Sequence, residues 1–252
     1  MNLSSFSLKA LTASLVLLST TGLAFAKHHH QMENYKGERS FKDVPPCPAP
    51  ATLKDGFYVG AQAGYDSYRV RENIGFFGGG VPQYVTSPAV NATGFVGGLF
   101  LGYGKYLTDM YYLGGEIFGN YSGADDNGYN VYSSNALAYN SEVKAHGSWG
   151  LAVLPGVKIN DTTLGYIRLG WNWVRMESNE NSLTFSPAQP ANPTNTVNGF
   201  AYGLGMETLL TGDWSLRAEY THTGYSSFSS SLGTTFNPSD NQFMVGINWH
   251  FA

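Results

Sequence analysis

The segment NQFMVGINWHFA, residues 241–252, alternates strictly. Phe243, Val245, Ile247, Trp249 and Phe251 share one parity, and Gln242, Met244, Gly246, Asn248 and His250 share the other. A period of two places the sets on opposite faces of a β-strand. The pattern recurs upstream. Val143, Ala145, Trp149, Leu151, Val153, Val157 and Ile159 alternate with Glu142, Lys144, His146, Ser148, Gly150, Ala152 and Lys158. Ile167, Leu169, Trp171 and Trp173 oppose Tyr166, Arg168 and Asn172, and Phe200, Tyr202, Leu204 and Met206 oppose Ala201, Gly203, Gly205 and Glu207. Trp214, Leu216, Ala218 and Tyr220 oppose Ser215, Arg217, Glu219 and Thr221. The alternation predicts eight strands, at 56–70, 92–106, 111–122, 142–159, 162–176, 197–210, 214–226 and 241–251.

The connections between them are unequal in a regular way. Those after the second, fourth and sixth strands are short, around Asp109, Asp161 and Gly212. Those after the other strands, 71–91, 123–141, 177–196 and 227–240, are long and carry Gly78-Gly79-Gly80 and much Asn, Ser and Pro. An even number of antiparallel strands with short turns at one end and long loops at the other is the pattern of an outer-membrane barrel. The predicted fold is all-β: an eight-stranded up-and-down transmembrane barrel with short periplasmic turns and four long extracellular loops.

A soluble ligand-binding barrel of the lipocalin kind would alternate in the same way but turn its apolar parity inward. Composition separates the two. Charged residues make up only 13% of the chain, about half of the ~25% usual for soluble domains. The apolar parity runs unbroken over the length of a lipid band, roughly 25 Å of tilted strand. Aromatics recur towards the strand ends, at Phe57, Tyr103, Tyr111, Trp214, Trp249 and Phe251, where interfacial girdles sit. The opposite parity is rich in Gly with few, sign-balanced charges, as a narrow lumen requires. The interior of eight strands is just wide enough for side chains to fill. Glu116, Glu142, Lys144, Arg168, Glu207, Arg217 and Glu219 are therefore expected to pair across the lumen as a structural charge network, since an unpaired buried charge is costly.

The N-terminal region adds export. Lys9 is followed by an apolar run from Ala10 to Phe25, ending Ala24-Phe25-Ala26. This reads as a signal peptide over 1–26, cut after Ala26. Residues 27–53 carry four prolines and mixed charge without periodicity, a flexible periplasmic tail before a barrel over 54–252. His28, His29 and His30 have no carboxylate or thiol at ligand spacing, so no metal site is expected. The single Cys47 forms no internal disulfide. A net charge of −4 gives no footprint for nucleic acid.

DGFYVGAQAGYD, LGGEIFGNYSG, WSLRAEYTHTGYSS and NQFMVGINWHF together resemble the small outer-membrane barrels of the OmpA transmembrane-domain and opacity-protein type, over about residues 54–252. The resemblance implies insertion by the outer-membrane assembly machinery, which reads a last strand ending in an aromatic. Gly246, Trp249 and Phe251 match that signal, although Ala252 follows the aromatic. A cell-wall tether of the full-length OmpA type is not expected. Three function classes remain. The favoured one is a non-enzymatic structural or surface-interaction scaffold in the outer membrane, adhesin- or opacity-like, without cofactor, whose four long loops contact host or other surface ligands. The second is a narrow, porin-like channel. The third is a lipid A-modifying acyl hydrolase, for which EVKAHGSW supplies Glu142, His146 and Ser148. Strict alternation puts His146 and Ser148 on the lumen parity, away from lipid.

Overall fold

The computed structural model describes residues 52–78, 81–86, 90–133, 136–182, 189–191, 194–229 and 235–251. Residues 1–51, over which the signal peptide and most of the tail are expected and which include His28–His30 and Cys47, lie outside them, as does Ala252. The strands are β1 (Gly56–Gly78), β2 (Val81–Thr86), β3 (Val90–Tyr106), β4 (Tyr111–Ser122), β5 (Asp125–Ser133), β6 (Ala136–Asn160), β7 (Thr163–Ser182), β8 (Gln189–Ala191), β9 (Thr194–Thr211), β10 (Trp214–Tyr225), β11 (Phe228–Ser229) and β12 (Thr235–His250). Eight long strands, β1, β3, β4, β6, β7, β9, β10 and β12, pair antiparallel in that order, and β12 closes on β1. The four short strands attach at the upper, extracellular end.

The register gives the size of the barrel. The ladder leads from Tyr58 through Gly102, Glu116, Ala152, Gly170, Ala201, Thr223 and Asp240 back to β1 at Tyr68, a shear of ten residues. Eight strands with that shear tilt by about 40°. The bore is filled by side chains.

The faces are inverted relative to a soluble protein. Phe95 is 83% exposed, and Leu99 and Leu204 are each 66% exposed, while Arg168 and Arg217 are 3% and 2% exposed. Apolar area on this scale is stable only against lipid. Rings ring both edges of the band. Phe57–Tyr103 (4.9 Å), Trp214–Trp249 (6.4 Å) and Trp249–Phe251 (4.6 Å) lie at the periplasmic edge. Tyr65–Phe95 (5.9 Å) and the stacked pair Trp149–Trp173 (4.3 Å) lie at the extracellular edge. On β1 and β12 the membrane-spanning segments are therefore 57–65 and 243–251.

The strands continue well beyond the band. Alternation predicts that the first ends at 70, yet β1 reaches Gly78 and its extension pairs with β2 and with the upper part of β12. Similarly, β5 pairs with the upper part of β6, and β8 with β7. Stretches expected as loops are thus partly β-hairpin. The outer face meets water rather than lipid there, while Val70, Val90 and Phe236 stay buried inside, so the apolar-outside pattern of the band is lost although the backbone groups still demand partners. At the lower end, Gly212 takes φ +57° in the turn between β9 and β10, a left-handed conformation that glycine adopts freely. Leu53, expected in the tail, is buried against Tyr58 and its neighbours at the periplasmic end.

One irregularity changes the chemistry. The β6–β7 register slips between Ala145 and Ser148, a bulge that reverses which parity faces in. Below it Trp149 faces lipid, whereas above it Ala145 is 2% exposed, packed with Val174 and Met176. The expectation that Ala145 shares the lipid face of Trp149 is therefore corrected.

Candidate functional site

The lumen holds a four-charge cluster at mid-height. Glu116 comes from β4, Arg168 from β7, and Arg217 and Glu219 from β10, all on the inward parity. Arg217 donates to Glu116 Oε2 at 2.6 Å and to Glu219 Oε2 at 2.6 Å. Arg168 donates to Glu116 Oε1 at 2.7 Å and reaches Glu219 Oε2 at 3.3 Å. Each carboxylate thus bridges both guanidiniums, the geometry that best offsets desolvation of buried charge. Tyr166 donates to Glu219 at 3.0 Å and Tyr58 to Glu116 at 3.3 Å. The guanidinium faces are also covered: Arg168 lies 4.4 Å from the Phe118 ring centroid, and Arg217 lies 4.6 Å from that of Phe100. Glycines make the space. A Cβ at Gly102 would stand 2.2 Å from the Tyr58 ring, and one at Gly205 would stand 2.2 Å from the Tyr166 ring.

A second cluster lies on the periplasmic side. Ser215 donates to Glu207 Oε1 at 2.6 Å, and His250 Nε2 lies 2.7 Å from the same oxygen and 3.2 Å from Ser215 Oγ. The residue types are those of a hydrolytic triad, but the arrangement is not. In a relay the carboxylate holds Nδ1 and leaves Nε2 free to take the hydroxyl proton. Here Nε2 meets the carboxylate itself, Nδ1 has no partner among the described residues, and Ser215 is fully buried. The cluster can hold charge in place; it cannot activate a hydroxyl.

Of the seven charges predicted to pair across the lumen, Glu116, Arg168, Arg217 and Glu219 meet in one cluster and Glu207 joins His250 in the other. Lys144 does not belong. The bulge turns it to the outer parity, where the ladder sets it opposite Asp125 and Glu177. The backbone of Glu142 pairs with Asn179, and its side chain lies outside the described residues. The bulge also separates the His-x-Ser pair. His146 faces outward, 3.3 Å from Glu177, so the expected lumen position of His146 is corrected too. Gly246 sits on the lumen parity, where a Cβ would meet the Ala61 carbonyl at 2.9 Å, and Trp249 and Phe251 sit in the periplasmic girdle.

The upper lumen differs. Gln62 donates to Asn120 at 2.9 Å and Asn172 to Thr223 at 3.1 Å. Above them Asp66 and Asp240 are both buried, and Tyr68 stacks on Tyr225 with centroids 6.4 Å apart. Asp240 keeps Oδ1 without a partner among the described residues. The aspartate lies above the membrane-spanning part of β12; burial first, and then the Asp66 charge, push its carboxyl up to about 8. Neither aspartate was singled out by sequence. Asp66 continues the inward parity of its strand one step past Tyr65, and Asp240 directly precedes the predicted last strand; those were the available signals.

The inverted faces, the two girdles and the filled bore define an integral membrane barrel of the outer-membrane class. The chain belongs to the family described as outer membrane protein beta-barrel domain, whose profile matches residues 45–251. It is similar to the 31 kDa outer-membrane immunogenic protein of Brucella melitensis biotype 1, with 25% identity over 169 residues, 67% of this chain and 70% of the relative. The Brucella suis biovar 1 protein of the same name matches equally. Among solved structures, it is similar to the attachment invasion locus protein Ail of Yersinia pestis, at 15% identity and a TM-score of 0.40 over 79% of this chain and 100% of that one. OprG of Pseudomonas aeruginosa matches at 13% identity and a TM-score of 0.41, over 79% and 99%. The protein resides in the cell outer membrane.

Proposed function

We infer that the protein is a closed-lumen mount for extracellular β-hairpins, and that these hairpins make its contacts with host or other surface ligands. The observation that carries this reading is the buried cluster Glu116–Arg168–Arg217–Glu219, which fills the bore with paired charges and stacked rings. A small-solute channel needs a continuous path for water, and this cluster stands across it. Acyl transfer needs a free base beside an exposed hydroxyl; Ser215 is buried, and His146 and Ser148 lie on opposite sides of the wall. The strands that project past the upper girdle instead give the loops a stiff base at a distance from the lipid, and the Brucella relatives are named as immunogenic. Insertion by the assembly machinery through Gly246, Trp249 and Phe251 belongs to the same reading.

The test has two arms. Purified folded protein in a planar bilayer gives no single-channel steps, and regular steps from the unaltered protein would sink the reading. On intact cells, shortening 71–91 and 227–240 abolishes attachment to host surfaces while the heat-dependent gel shift of a folded barrel persists. Attachment unaffected by loss of all four connections would count equally against it.

A further inference from the structure

Above the upper girdle the outer wall is uneven in charge. On the β5–β6–β7 sector the cations stand beside acids: Lys144 lies opposite Asp125 and Glu177, and His146 contacts Glu177. Arg175, also exposed, stands two residues below Glu177 on the same outer parity. The sector made by β10, β12, β1 and β3 is different. Its outward positions above Tyr220, Phe243, Tyr65 and Phe95 are Asn, Ser, Thr, His222, Gly224 and two arginines, with no carboxylate among the described residues.

Arg69 and Arg71 are both exposed and point the same way from β1. Neither makes a side-chain ion pair among the described residues. Hydrogen-bonding groups flank them. Asn91 lies opposite Arg69 on β3, and Ser239 and Asn237 lie opposite Arg69 and Arg71 on β12. Ser239 donates to the Arg69 carbonyl at 3.3 Å, and His222 and Tyr220 both bond Asn241 at 2.9 Å lower on the same wall. Beneath them are the Tyr65–Phe95 pair and then Leu99 and Val245 on the lipid face. Four residues of tilted strand separate Arg69 from Tyr65, about 10 Å along the membrane normal. An arginine side chain reaching down from there meets the headgroup layer.

We propose that this sector binds the phosphorylated saccharide headgroup of an outer-leaflet glycolipid of the lipid A class. The guanidiniums of Arg69 and Arg71 take phosphate oxygens in bidentate fashion, Asn91, Asn237 and Ser239 take sugar hydroxyls, and the acyl chains lie on the apolar wall below. Charge complementarity selects this occupant: the strip is basic and unopposed, it stands at headgroup depth, and its remaining groups suit a polyhydroxylated ligand. The opposite side of the same barrel has its cations beside acids and attracts phosphate less, so the protein carries an oriented lipid on one side.

The test uses the full folded chain in detergent micelles, with native mass spectrometry after addition of bis-phosphorylated lipid A, its dephosphorylated form, or phosphatidylglycerol. The unaltered protein retains bis-phosphorylated lipid A. The double variant Arg69→Gln/Arg71→Gln retains it roughly ten- to thirty-fold less, and Lys144→Gln retains it unchanged. The gel shift confirms that each variant is folded, and both arginines are exposed, so the barrel tolerates their loss. Equal retention by the unaltered protein and the double variant overturns the proposal. So does retention indifferent to the phosphates, or arginine-dependent retention as strong for phosphatidylglycerol as for lipid A.

Discussion

The lower and upper halves of the bore bury charge in opposite ways. In the lower half every buried carboxylate meets a base: Glu116 and Glu219 meet Arg168 and Arg217, and Glu207 meets His250. In the upper half Asp66 and Asp240 are buried as deeply, yet Arg168, Arg217 and His250 are the only buried bases among the described residues, and all three are engaged below. The difference teaches where each half draws its stability. The lower half is held by mutual neutralisation in a place closed to water. In the upper half the lumen is packed above the two aspartates by apolar side chains such as Val70 and Phe236, so with no base to meet them the cost of burial is met by protonation.

The largest effect that could break this contrast comes from the lower half. Arg217→Ala leaves Glu116 and Glu219 short of a partner and should cost about 3–5 kcal/mol, read as a shift in the urea midpoint followed by the gel shift. Adding Glu219→Gln to the same chain should recover part of that loss, because the stranded charge is removed with its partner. A double variant as unstable as the sum of the singles would show that the four residues do not act as one cluster. The altered protein is also the one in which conductance should first appear.

The upper half predicts a change of opposite sign. Asp240 has its carboxyl pushed from an ordinary 3.8 up to about 8 by burial and by Asp66. Between those values the folded state holds a proton that the unfolded state has released, so stability falls as pH rises from about 4 to 8. Asp240→Asn should flatten that fall and raise stability at pH 8, by on the order of 1–3 kcal/mol. Unfolding midpoints across that pH range, for the variant beside the parent, measure it. An unchanged pH profile would mean that Asp240 does not titrate in the window, and the contrast between the halves would fail.

Much of this was legible because alternation reports which face is wet. Arg168 and Arg217 sit among Ile167, Leu169, Leu216 and Ala218, and only a lipid-facing partner set explains them. Alternation fails in two places for physical reasons. At the bulge between Ala145 and Ser148, one extra residue reverses the parity, and Gly147 is its one faint mark in the sequence; Lys144 and His146 therefore face outward, against the parity that strict alternation predicts. Above the girdle, from Ser67 on β1 and below Asn241 in number on β12, the outer face meets water instead of lipid and turns polar while Val70 and Phe236 stay buried inside, so the apolar-outside pattern is lost and the strand extensions, Asp240 with them, read as loop in the sequence. The pairing of His250 with Glu207 rests on a contact 43 residues apart, which parity places in the same lumen but cannot place in the same layer.

The smallest predicted effect tests the boundary between the halves. Gln62 on β1 and Asn120 on β4 share one buried hydrogen bond of 2.9 Å, just above the charged cluster. They carry no charge, so neither neutralisation nor protonation applies to them. Gln62→Leu should cost about 1–2 kcal/mol, chiefly because Asn120 is left without its donor. Gln62→Leu with Asn120→Leu removes both polar partners and should come back to within about 1 kcal/mol of the parent. If the layer instead passes on strain from the cluster below, the double variant will stay as unstable as the single and the pH profile set by Asp240 will shift with it. Urea midpoints at pH 5 and pH 8 for both variants separate the outcomes. A neutral double variant with an unmoved profile means that the two halves bury their charges independently, divided by a layer whose polarity is dispensable.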